Sequence, residues 1–201
     1  MDSMGNATGG VHGLSAGTLK GSARGALICV CFGSGWMYWA VVSSGTQSPL
    51  WFSFVTLPAI FLTLWAILRI RAFRHLSPSS AELAHSMRFR KWFWIDFGFE
   101  WGLCAIAAFL LARVGRSDLM PQAFGVIIGL HFLPLAKIFT ARLFYWTSGI
   151  MVVAATGSLI IPRSDLRTVS GCMSTGLTLW ASGIVILCRI SSTGQRGLTI
   201  S

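Results

Sequence analysis

Six apolar runs constrain this chain more than any other feature. Each is close to the ~20 residues that carry an α-helix across a ~30 Å hydrocarbon layer. They cover residues 26–43, 50–68, 92–112, 122–140, 143–161 and 170–188. The runs are continuously apolar rather than alternating. That pattern argues against a β-barrel and for segments that satisfy their backbone hydrogen bonds internally. The expected fold is all-α: a polytopic membrane bundle of six transmembrane helices. It occupies residues 25–190, between a flexible polar tail over 1–24 and a short tail over 191–201. The first run follows Lys20 and Arg24 as a signal peptide would. It is longer than the usual apolar core of about 7–15 residues and contains Trp36, Tyr38 and Trp39. It reads as an uncleaved first span.

Composition agrees. Only 11% of the 201 residues are charged, against 54% hydrophobic, where an ordinary soluble domain has about 25% charged residues. This excludes a disordered chain and leaves too few charges to cover a soluble surface. The net charge of +10 would suggest nucleic acid in a soluble protein. Here the basic residues sit between apolar runs and no nucleic-acid-reading motif accompanies them, so nucleic acid is not an expected partner. Arg69, Arg71, Arg74, Arg88, Arg90 and Lys91 crowd the loop over residues 69–91, which suits anionic lipid. With that loop in the cytoplasm, Lys20, Arg24, Lys137, Arg142, Arg189 and Arg196 join it there. Only Arg113, Arg116, Arg163 and Arg167 remain outside. The positive-inside rule then predicts both termini in the cytoplasm of a cell-membrane protein. Within the basic loop, Ser79-Ser80-Ala81-Glu82 fits a capping box, consistent with a short interfacial helix or, equally, a solvated loop.

Ionisable groups inside spans are the candidates for chemistry. A charge at mid-bilayer costs about 2.5–3.5 kcal/mol on insertion scales, so it usually faces protein or water. Asp96 and Glu100 in span three are four residues apart, on one helix face. Counted from Lys91, they lie ~7 Å and ~13 Å deep. Two carboxylates so close in a low dielectric do not both ionise easily, which suits proton or cation handling. Span four offers His131 near mid-membrane and Lys137 nearer its end. By depth alone, Glu100 matches His131 and Asp96 matches Lys137, although snorkelling to the headgroups is the favoured reading of Lys137. His131 and Lys137 are ~120° apart around an ideal helix. Pro134 between them and Pro58 in span two are expected to kink their helices.

Gly98 and Gly102 in span three, and Gly125 and Gly129 in span four, form GxxxG patterns that let helix backbones approach. Gly149 and Gly157 add a smooth face to span five. Packing of span three on span four through these glycines would bring the acidic pair to His131. Six of the nine tryptophans, Trp36 among them, are placed near span ends as an interfacial belt. Trp101 and Trp180 lie deeper, as packing residues or pocket walls. The five cysteines form no CxxC pair, so neither a disulfide framework nor a metal site is expected, and no cofactor is implied. A Gly-x-Ser-Gly nucleophile, HExxH and a P-loop are absent, which removes the intramembrane serine protease and metalloprotease readings.

The segment Gly129-Leu130-His131-Phe132-Leu133-Pro134-Leu135-Ala136 resembles a stretch of small bacterial multi-pass membrane proteins, a family of unknown function. The resemblance covers about eight residues. It implies a bacterial inner-membrane protein and transfers no catalytic or binding residue. The expected function is a small-solute or proton-coupled transporter or ligand-binding protein, with Glu100, Asp96, His131 and Lys137 forming a polar site between spans three and four. Alternatives are the substrate-binding subunit of a larger importer and a non-catalytic scaffold or sensor. An enzyme acting on lipid has the least support. Expected partners are the bilayer, a small-molecule or proton ligand and further copies of the chain.

Overall fold

Each apolar run forms a helix, and several extend beyond it. In a computed structural model, residues 16–46, 48–75, 77, 80–138 and 141–198 are described. The helices are α1 (Ala16–Ser43), α2 (Pro49–Ala72), α3 (Ser80–Arg113), α4 (Met120–Ile138), α5 (Arg142–Gly157) and α6 (Ser164–Leu198). Short 3-10 turns over Ser117–Leu119 and Ser158–Ile160 flank α4 and α5. Among the described residues there is no strand. All six helices are long and apolar enough to cross a membrane.

The helix ends follow from local chemistry. Gly45 and Gly115 take φ of +68° just past α1 and α3, the left-handed position that ends a helix without a Cβ clash. Pro49 opens α2, where its missing N–H costs nothing. Helix α1 begins ten residues before the apolar run that was expected to open the first span. Helix α3 begins at Ser80, so the helical part of the basic loop continues directly into span three. Ser79, the expected N-cap of the capping box, lies outside the described residues, as do residues 1–15 of the expected tail; its residues 16–24 are helical and belong to α1. Helices α1, α3 and α6 are each longer than the ~20 residues a bilayer needs. Most of their extra length lies on one end of the bundle, marked by Lys20, Arg24, Lys91 and Arg189, called here the basic end. There Lys20 Nζ donates to the Arg74 carbonyl at 3.2 Å, clasping the start of α1 to the end of α2.

Helices α1 and α6 form the central pair. Leu19, Ala23, Ala26, Val30, Gly33, Met37 and Ala40 are all buried along α1. Their alternating spacing of four and three is that of a coiled-coil seam. Facing them, Cys172, Gly176, Leu179, Gly183, Leu187 and Ile190 are buried along α6. The backbones touch at the glycines. A Cβ on Gly33 would stand 2.6 Å from Trp180 Cδ1 and 2.9 Å from the Gly176 carbonyl, and one on Gly176 would stand 2.9 Å from the Gly33 carbonyl. Trp180 is locked into this seam, with Nε1 3.3 Å from the Val30 carbonyl and 3.2 Å from Ser34 Oγ. It is a packing residue.

Helix α2 packs on α1, α4 and α5 pack on each other and on α6, and α3 rests mainly on α4. The glycine expectation divides here. Gly125 and Gly129 do serve packing, but against α5 and α6 rather than α3: added Cβ atoms would meet Ala155 and Val152 at 3.0 and 2.9 Å. Gly98, Gly102, Gly149 and Gly157 have nothing within 4 Å of an added Cβ. At ~100° per residue, Gly98 and Gly102 lie on the side of α3 opposite Asp96 and Glu100. With the carboxylates turned to α4, those glycines must turn away.

Polar groups tie the helices together. Thr147 on α5 and Ser182 on α6 share a hydrogen bond of 2.7 Å between buried hydroxyls. At the end opposite the basic one, Arg167 pairs with Asp118, and Gln122 Nε2 donates to the Arg167 carbonyl at 2.9 Å. Pro58 and Pro134 sit inside α2 and α4, both of which run on past them.

Candidate functional site

The site grows from one helix face. Asp96 and Glu100 stand four residues, hence ~6 Å of rise, apart on α3. That interval admits one imidazole. His131 of α4 fills it, with Nδ1 3.2 Å from Asp96 Oδ2 and Nε2 3.4 Å from Glu100 Oε2. The His131 and Glu100 side chains are only 9% and 12% exposed. Asp96 Oδ2 is buried at ion-pair distance but without the alignment of a hydrogen bond. Among the described residues, no group of three or more His, Cys, Asp or Glu is arranged to hold a metal ion.

Proton counting shows what this triad can do. A neutral imidazole has one N–H donor and one lone pair. With a carboxylate at each nitrogen, the lone pair would face an anion. Two protons shared over the three groups remove that conflict and leave one net negative charge. A third proton makes the triad neutral. The cluster is therefore built to gain or lose one charge.

His131 meets both carboxylates, so Asp96 lies against His131 rather than Lys137. Lys137 is exposed and has no ion pair among the described residues. The cause is the angle noted above: α4 is continuous through Pro134, so residues 131 and 137 stay on different faces. Lys137 is not part of the cluster.

Glu100 lines two cavities. The first, of about 460 Å³, runs toward the basic end past Phe97 and Phe93 on α3, Phe132 on α4 and Ser22 on α1. The second, of about 450 Å³, runs the other way past Trp39 on α1, Cys104 on α3 and Phe124 on α4. On all three helices the lining residues move in opposite directions from the shared group of Phe32, Trp36, Glu100 and Ile128. Those four residues line both cavities, where the two adjoin. Trp36 is accordingly buried at the site and stacked on Trp39, with ring centroids 5.2 Å apart, rather than belonging to the interfacial belt. Trp101 stands 6.5 Å from the Phe32 ring, between α3 and α1 at the edge of the second cavity.

The contribution of α1 was not anticipated, because its lining residues are uncharged and look like any apolar span. The signal was its glycine spacing. Gly33 buries one face against α6, which leaves Phe32 and Trp36 facing α3 and α4.

Comparison with family models, curated proteins and solved structures finds no match. The functional reading therefore rests on the geometry.

Proposed function

We propose that this protein is a proton-coupled carrier of a small solute, with Glu100, Asp96 and His131 as its proton-handling site. One observation carries the reading: Glu100 lines both cavities, whose other lining residues run from it toward opposite ends of the bundle. A carboxylate at such a junction can meet either aqueous face in turn when Phe32, Trp36 and Ile128 repack. His131 holds the two carboxylates at a separation where one proton changes the charge of the whole cluster. The chain sits in a bacterial inner membrane with the basic end in the cytoplasm, where anionic lipid meets Arg69, Arg71 and Arg74.

The test is proton flux into proteoliposomes carrying a lumenal pH dye, under an imposed inside-negative potential. Wild type should acidify the lumen. Glu100→Gln and His131→Ala should slow this at least tenfold while eluting as folded protein in detergent. Unchanged flux in both variants refutes the proposal. The contacts to His131 also pin α3, so a purely structural role predicts loss of stability with no change in flux per folded molecule.

A further inference from the structure

We infer that the solute is a lipophilic organic cation, which takes the place of a proton at the Glu100–His131–Asp96 cluster. The inference rests on the carrier reading above and gives its substrate class.

The first argument is charge. With two protons the cluster keeps one net negative charge, and an unpaired charge in a low-dielectric interior is costly. A third proton or an external cation removes it. The other ionisable groups near the cluster do not compensate. On α1 these are the thiols of Cys29 and Cys31, and on α3 the thiol of Cys104. On α4, Lys137 is on another face. On α6, Arg189 lines the first cavity, whereas the groups at ion-pair distance from Asp96 and Glu100 are the two nitrogens of His131. Helix α5 contributes Leu143 and Phe144 to the wall. An anionic ligand would add a second negative charge beside Glu100. A neutral one would leave the first uncompensated.

The second argument is the lining. The first cavity is walled by Phe32, Trp36, Phe93, Phe97, Phe132 and Phe144. The second adds Trp39, Trp101 and Phe124. Aromatic faces attract cations through the ring quadrupole, most strongly where water is excluded, and they bury an apolar body. Both volumes fall in the range of about 300–1,000 Å³ usual for small-molecule sites. Aromatic walls with one net negative charge fit a cation that carries rings or alkyl groups better than a hydrated inorganic ion.

The exchange balances. The cluster with three protons is neutral. When the cation binds, one proton leaves to water, and cation plus cluster are again neutral. Bound proton and bound cation thus exclude each other: with the cation present the two exchange one for one, and without it the cluster cycles with and without its third proton, which is the flux measured above.

Two ions of one shape and opposite charge make the test: tetraphenylphosphonium and tetraphenylborate. Binding to the purified full chain in dodecylmaltoside is measured by equilibrium dialysis, referenced to protein-free micelles. Tetraphenylphosphonium should bind at least tenfold tighter than tetraphenylborate. Across the pH interval where the third proton binds, its Kd should rise about tenfold per unit fall in pH, as one-for-one competition requires. A dye in weak buffer should report one proton released per cation bound. Glu100→Gln should weaken binding at least tenfold and abolish the release, and Asp96→Asn should weaken it in the same direction while Glu100→Asp restores it in part. Equal or tighter binding of tetraphenylborate, or a Kd flat from pH 5 to pH 9, overturns the inference. If that happens while Glu100-dependent proton flux persists in liposomes, the carrier reading stands and only the substrate class falls. If tetraphenylphosphonium binds as expected but no flux depends on Glu100, the carrier reading falls and the site is a cation receptor.

Discussion

Replacing Gly33 with alanine should separate the packing scheme from a generic glycine-rich bundle. An added Cβ at Gly33 lands 2.6 Å from Trp180 Cδ1 and 2.9 Å from the Gly176 carbonyl. Ordinary contact begins at 3.4 Å, so relief requires ~0.8 Å of movement. Neither neighbour yields easily. Trp180 is held through Nε1 against Val30 and Ser34, and the other obstacle is backbone. The α1–α6 seam must therefore open, at an overpacking cost of about 1–3 kcal/mol. Gly98→Ala meets nothing within 4 Å and gains up to about 1 kcal/mol from helix propensity. The same propensity gain applies at Gly33, so the two variants should differ by the overpacking cost, about 1–3 kcal/mol. Reversible unfolding in mixed micelles of increasing SDS fraction, followed by circular dichroism, measures the difference. Equal stabilities, or a larger loss from Gly98→Ala, would refute the assigned helix faces, and with them the placement of Phe32 and Trp36 at the site.

Further consequences can be checked by similar means. Thr147→Val and Ser182→Ala, taken through a double-mutant cycle, should give a coupling of about 0.6 kcal/mol, the usual value for a hydroxyl pair between membrane helices. Asp118→Asn should destabilise by about 3 kcal/mol, the low end for stranding a largely buried cation, because Arg167 is 12% exposed. Arg116→Ala, whose side chain is 55% exposed, should cost under about 1 kcal/mol in the same unfolding assay. A fluorescent reporter fused after Ser201 should mature in the cytoplasm, and a phosphatase inserted at Gly45 should be active outside. The reverse pattern would invert the proposed orientation.

The fold and the site were legible in the sequence to different depths. The six spans could be read because the length of an apolar run is itself the physical requirement. Asp96, Glu100 and His131 could be read because charge at mid-bilayer demands a partner, and a four-residue spacing fixes a shared face. Depth alone pairs Asp96 with Lys137, but the ~120° between His131 and Lys137 argues against one helix face serving both carboxylates. The glycines of α3 misled because spacing within a pair says that two residues share a face, not which face is buried. Their angle to Asp96 and Glu100 held the answer. The α1–α6 seam was written in Leu19, Ala26, Gly33 and Ala40, seven apart, with Ala23, Val30 and Met37 between them. The two cavities were not legible, since empty space depends on how whole helices splay.

Access to Glu100 from both faces is the central claim, and thiol labelling tests it directly. In a cysteine-free background, Glu100→Cys is treated with a membrane-impermeant thiol reagent applied to one face of sealed vesicles, then to the other. The account predicts labelling from each face, slowed from both by tetraphenylphosphonium. Protection from both faces in folded protein would make the site a sealed helix contact and contradict the account.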